Sequence, residues 1–79
     1  GREQLDNGLR EMSLSPLLSA TNFISVELPF EGKQVAQSML EKGVQIHAWP
    51  DPGYENYIRI TIGTTEDNSF CLNVLKESL

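Results

Sequence analysis

Cysteine occurs once, at Cys71, so no disulfide can close within the chain. A small fold without such staples suits a reducing, cytoplasmic setting. Cations are scarce too: six Lys and Arg stand against eleven Asp and Glu, giving a net charge of -5. The basic residues are scattered, and a surface that tracks phosphates needs them clustered, so nucleic acid is not an expected partner. Apolar runs are short, and none approaches the roughly 20 residues of a membrane span. No signal-peptide pattern opens the sequence, so no membrane partner is expected. Histidine occurs once, at His47, with no acid or cysteine at ligand spacing, which makes it a poor metal ligand. Cys71 falls on an apolar stripe and reads as inert core packing. Lys33, Lys42 and Lys76 sit near predicted helix ends and read as solvated, with no apolar pocket to lower a pKa for Schiff-base chemistry. No catalytic residue and no metal site is expected on this chain.

What is present is organised around residues 57–64, YIRITIGT. Ile58, Ile60 and Ile62 alternate with Tyr57, Arg59 and Thr61, the period-two pattern of a half-buried strand. Gly63 ends it, and Thr64 followed three residues later by Asp67 is a helix-capping signal. Upstream, Leu5, Leu9 and Met12 mark one face of a helix over 2–12, weakened by Gly8 unless it docks. Residues 13–22 read as a connector whose Leu14, Leu17 and Leu18 are tucked under the fold. Residues 23–28 alternate as a strand with Ile24, Val26 and Leu28 inward, ended by Pro29. Residues 32–42 form the clearest helix, with Val35, Ala36, Met39 and Leu40 as its stripe and Gly43 as its C-cap. Residues 44–49 form a strand, 50–56 a Pro- and Gly-bearing loop, and 65–79 a helix with Cys71, Val74, Leu75 and Leu79 inward. The order α-β-α-β-β-α implies an α+β fold. It is a two-layer domain with a three-stranded sheet, the last strand central, and helices mainly on one face. Residues 1–22 are its N-terminal helix and connector, and 23–79 the α+β small domain itself. At 79 residues it is one domain, which buries only about 60% of its unfolded surface.

The sheet face turned away from the helices would carry Phe23, Ser25, Glu27, Gln45, His47, Trp49, Tyr57, Arg59 and Thr61. A solvated face seldom gathers three large aromatics, so a larger body is expected to cover it, the first helix covering part. Arg59 has two readings. It is a surface arginine paired across strands with Glu27, of little energetic consequence. Alternatively its planar guanidinium, held by a rigid strand, binds an anion. Spacing alone favours the first.

Residues 43–68, GVQIHAWPDPGYENYIRITIGTTEDN, resemble the C-terminal small domain of the histidinol-phosphate aminotransferase family. Leu40, Gly43 and Val44 match its Leu-x-x-x-Gly-Val segment; Arg59 through Thr64, with Glu66 and Asn68, match its Arg-Ile-Thr-Ile-Gly-Thr strand and following helix start. Ala20-Thr21-Asn22-Phe23 is similar to its entry into the first strand. The resemblance implies a domain of a larger pyridoxal-phosphate enzyme that belongs to histidine biosynthesis and moves an amino group in two half-reactions. It implies that Arg59 binds an anionic end of a small amino-acid substrate, overturning the weighting above. His47 stands where the family usually has a second arginine, which makes it a second substrate-binding candidate with a pH-conditional charge. The cofactor-holding residues and Schiff-base lysine would lie upstream in a large domain, so this chain alone would bind no cofactor and be inactive. The family is homodimeric, mostly through that large domain. The alternatives are another aminotransferase of the same family, a threonine-phosphate decarboxylase-like relative, or a free-standing interaction or ligand-binding module.

Overall fold

Strand β4 (Tyr57–Thr61) lies inside the sheet: its period-two alternation puts Ile58 and Ile60 on the core face, and with no proline both its edges can pair. The computed structural model describes residues 2–17 and 22–79. The other elements are α1 (Arg2–Glu11), β1 (Pro16–Leu17), β2 (Phe23–Glu27), α2 (Gly32–Glu41), β3 (His47–Ala48) and α3 (Thr65–Ser78). β4 pairs antiparallel with β2 along its whole length, from Phe23 opposite Thr61 to Glu27 opposite Tyr57. On its other edge it pairs with β3, His47 opposite Arg59 and Ala48 opposite Ile58. The α+β class and the central place of the last strand are as read from the sequence.

Three details differ. Among the described residues the sheet has four strands, in the order β1-β2-β4-β3, not three. Pro16 and Leu17, read as connector, pair with Val26 and Ser25 at the sheet edge. Two residues are too few to show alternation, and a proline is tolerated there because an edge strand can spare one N–H. The strand expected over 44–49 contracts to His47–Ala48. The first helix does not cover the outer face: α1 packs on α3 and β2, and its Leu5 and Leu9 join Ile24, Val26, Met39, Ile58, Ile60 and Leu75 in one core. Of the connector leucines, Leu14 packs against the core and Leu17 is exposed, while Leu18 lies outside the described residues. Ala20 and Thr21 of the strand-entry motif also lie outside them. Leu40 and Leu79, expected on inner stripes, are exposed.

Helix ends follow local chemistry. Gly43 takes φ +93°, its N–H bonds to the Leu40 carbonyl and that of Val44 to Met39, the pair of bonds that closes a helix through a left-handed residue. α1 ends the same way, with bonds from Ser13 to Arg10 and Leu14 to Leu9, but its left-handed residue is Ser13, at φ 65°. Thr64 caps α3 by accepting from the Asp67 N–H at 3.1 Å. Gly8 in α1 faces Leu72 of α3 so closely that a Cβ would sit 2.5 Å from Leu72 Cδ1, which is why the docked helix tolerates a glycine. Asn68 is buried and fully used. Its carbonyl oxygen accepts from Gly63 N at 2.9 Å, and its amide donates to the Gly63 carbonyl at 3.2 Å and to Gln4 Oε1 at 3.1 Å. Gln4 Nε2 in turn donates to the Thr65 carbonyl at 3.0 Å and to Ser69 Oγ at 2.9 Å.

Ser13→Gly is expected to raise unfolding stability by about 0.5–1 kcal/mol, since a side chain in the left-handed region costs more than glycine's extra chain entropy. Urea titration followed by far-UV circular dichroism measures it. Asn68→Ala strands the Gly63 N–H and carbonyl and should lower stability by about 1–3 kcal/mol in the same titration.

Candidate functional site

The sheet pairing sets one row across all four strands on the outer face: Leu17, Ser25, Arg59 and His47. The next row holds Glu27 and Tyr57, with Trp49 beside them through its N–H bond of 3.2 Å to the Tyr57 carbonyl. Arg59 and His47, the two substrate-binding candidates, are therefore direct cross-strand neighbours, a position where Cβ atoms sit about 4.5–5.5 Å apart. Arg59 is half-buried and His47 exposed.

The pairing of Arg59 with Glu27 is not formed. Ser25 is opposite Arg59, and Glu27 is opposite Tyr57. Among the described residues the ion pair present is Arg10 with Asp6, within α1, and neither Arg59 nor His47 is paired to a carboxylate. Arg59 instead places its Cζ over the Phe23 ring, 5.2 Å from the centroid. Such a contact contributes about 0.5–1 kcal/mol at exposed sites. Phe23 is thus the platform of the candidate site. Sequence alternation put it on this face but gave it no role, because the register that sets it diagonal to Arg59 is a tertiary fact. Ser25, read as an outer-face position, is buried within this row.

Beside Arg59 and His47 runs a string of aromatics. Trp49 and Tyr54 have ring centroids 5.8 Å apart, and Tyr54 meets Tyr57 edge-on at 5.2 Å. Trp49 Nε1 is buried and has no hydrogen-bond partner in the structure. A buried N–H left this way costs free energy until an acceptor reaches it. The loop that carries Tyr54 is held by its own backbone: Gly53 takes φ +91°, and its N–H donates to Glu55 Oε2 at 3.0 Å. That bond, with one from the Glu55 N–H, holds the Glu55 carboxyl below its ordinary value. The loop's far end is packed against α2. Gly32 N donates to the Glu55 carbonyl at 2.7 Å, and a Cβ on Gly32 would lie 2.7 Å from the Tyr57 carbonyl oxygen.

The rest of the candidate chemistry disperses. Cys71 is buried in the core, far from this face, and burial pushes its thiol up to about 11. Lys33, Lys42 and Lys76 are exposed, and Lys42 Nζ bonds Ser78 Oγ at 3.4 Å. Among the described residues no group of three or more His, Cys, Asp or Glu is placed to hold a metal ion, and no helix is long and apolar enough to cross a membrane. The outer face thus brings Arg59 and His47 together beside an aromatic wall.

The family model for aminotransferase class I and II matches residues 1–74. A histidinol-phosphate aminotransferase of Akkermansia muciniphila is 43% identical over 79 residues, which are 100% of this chain and 22% of that protein. A solved structure from Erwinia carotovora atroseptica, described as a histidinol-phosphate aminotransferase, superposes with a TM-score of 0.83 at 28% identity, over 96% of this chain and 22% of that one. The histidinol-phosphate aminotransferase of Sinorhizobium meliloti, solved in complex with pyridoxal-5'-phosphate, has the same fold, with a TM-score of 0.77 at 22% identity over 98% of this chain and 22% of that one. The chain spans about a fifth of the length of the curated relatives it matches. The resemblance carried by residues 43–68 stands.

The Cys71 thiol keeps its proton more tightly folded than unfolded, since its value rises from 9.0 to about 11. Its contribution to stability is complete below the unfolded value and is lost as pH climbs from about 9 towards 11. Iodoacetamide at neutral pH should leave Cys71 unmodified in the folded protein and alkylate it in urea, as read by mass spectrometry.

Proposed function

The chain belongs to the aminotransferase class I and II family, and on that premise we propose that it is the substrate-binding small domain of a pyridoxal-phosphate aminotransferase. The reaction proposed is that of its relatives, histidinol-phosphate transamination in histidine biosynthesis. The observation that supports this best is Arg59. It sits on the central strand, turned outward, stacked on Phe23, beside His47 and unpaired to any described carboxylate. An arginine so placed is ready for an anion from outside the domain. Its planar fork takes a carboxylate or phosphate oxygen pair, and the strand beneath it fixes where that anion stands. His47 is a second donor to the same anion when protonated.

The described residues do not fit the role of cofactor holder. A pyridoxal-phosphate enzyme needs a lysine amine at the cofactor's carbonyl carbon, and all three lysines here are exposed on the surface. Cofactor binding and the chemical steps are accordingly assigned to a large domain of the same protein, which meets the aromatic outer face and accepts the unpartnered Trp49 N–H. This chain's part is to bind the anionic end of a small amino acid, orient it and help exclude water as the two domains close. By itself it would be inactive. The full enzyme is proposed to be a cytoplasmic homodimer whose contacts come mainly from the large domain.

Arg59→Ala in the full-length enzyme should lower kcat/KM by roughly 30- to 5,000-fold, the equivalent of about 2–5 kcal/mol for one partner of a buried charge contact. Cofactor loading, read by visible absorbance, should be unchanged. Wild-type kcat/KM in that variant would end this reading.

A further inference from the structure

We propose that the Asn7–Gly8 pair is a site of spontaneous succinimide formation and deamidation, that the docking of α1 keeps it shut, and that reaction there makes undocking of α1 irreversible. The sequence supplies the chemistry. The backbone nitrogen of Gly8 attacks the side-chain carbonyl carbon of Asn7. The new C–N bond closes a succinimide ring, and the side-chain amide nitrogen leaves as ammonia, taking the proton that the Gly8 nitrogen gives up. Water then opens the ring at one carbonyl or the other, leaving aspartate, or isoaspartate with the backbone rerouted through the side chain. Water is the sole co-reactant. Among the asparagines Asn7 alone precedes a glycine, which has no Cβ to crowd the attacking nitrogen. Asn22, Asn56, Asn68 and Asn73 precede Phe23, Tyr57, Ser69 and Val74.

The fold withholds this reaction. Asn7 is exposed, so burial gives it no protection, but both residues lie inside α1. In a helix the Gly8 N–H is given to the carbonyl four residues back, that of Gln4, and the fixed backbone holds the nitrogen away from the Asn7 side chain. The helix does not stand by itself. Asparagine and glycine are poor helix formers, and an isolated helix of 10 residues is marginal in water. α1 stands because it docks. Leu5 and Leu9 are fully buried, and Gly8 lies against the Leu72 side chain. Gln4 bonds to Asn68, Ser69 and the Thr65 carbonyl. Local opening of α1 therefore frees the reactive pair. Either product then keeps the helix away. A carboxylate at position 7 stands four residues from both Glu3 and Glu11, where like charges destabilise a helix. Isoaspartate lengthens the backbone between Leu5 and Leu9 and takes them off a common face.

The test ages the full-length protein at neutral pH and physiological temperature, with and without unfolding guanidinium chloride. Trypsin cuts after Arg2 and Arg10, and mass spectrometry of the 3–10 fragment reads deamidation of Asn7. Labelling with isoaspartyl methyltransferase counts the isoaspartate. Folded protein should react at Asn7 at least about tenfold more slowly than unfolded protein, in which Asn7 should outpace the other asparagines. Gln4→Ala loosens α1 without touching the reacting pair and should speed the native reaction; Asn7→Gln should abolish it. The deamidated form, separated by ion exchange, should be cut after Arg10 under native conditions faster than fresh protein. Equal rates at Asn7 in folded and unfolded protein would overturn the gate. An Asn7 no faster than Asn22 or Asn73 in denaturant would overturn the site, and deamidated protein as trypsin-resistant as fresh protein would overturn the irreversibility. The wild-type comparisons decide all three even where Gln4→Ala fails to fold.

Discussion

The register of β4 between its two neighbours is the constraint from which the rest follows. A slip of one residue would turn Ile58 and Ile60 out of the core and bring Arg59 in, because alternate side chains face opposite ways. Burying two isoleucines is worth several kcal/mol, and burying an unpaired guanidinium is strongly opposed, so both terms favour one alignment. The same alignment is what makes Leu17, Ser25, Arg59 and His47 a single row. The site is thus a by-product of core packing, and it inherits the core's rigidity.

Both ends of β4 are tied to helices by groups that hydrogen bond to backbone. At its entrance the Gly32 amide at the start of α2 meets the Glu55 carbonyl, with no room for a Cβ beside the Tyr57 carbonyl. At its exit the Asn68 carboxamide satisfies the Gly63 N–H and carbonyl and passes the connection to Gln4 of α1. All three helices therefore share the task of holding one strand. A small chain of this size has little spare stability, and these buried polar ties add to it.

The sequence made the skeleton legible because its signals are local. The alternation over 57–62, the glycine after α2 and the Thr64–Asp67 cap each encode an element within a few residues, and the structure has all of them. Strand β1 was not legible, since two residues carry no period and one of them is a proline. The side of the sheet taken by α1 was equally hidden. It depends on Gly8 letting Leu72 approach, a contact between residues distant in the chain. The pattern put Arg59 and His47 on one face, but their adjacency and the stacking on Phe23 come from register, which pattern leaves free. Even the wrong pairing of Arg59 with Glu27 was a register error of two residues on the correct face.

The Phe23 ring beside Arg59 also limits how a partner can meet it. The N–H bonds of a guanidinium all lie in its plane. An acceptor for Arg59 must therefore meet the rim of that plane, on the side the ring leaves open. Lysine, whose ammonium has no such plane, would keep the charge and lose the directionality.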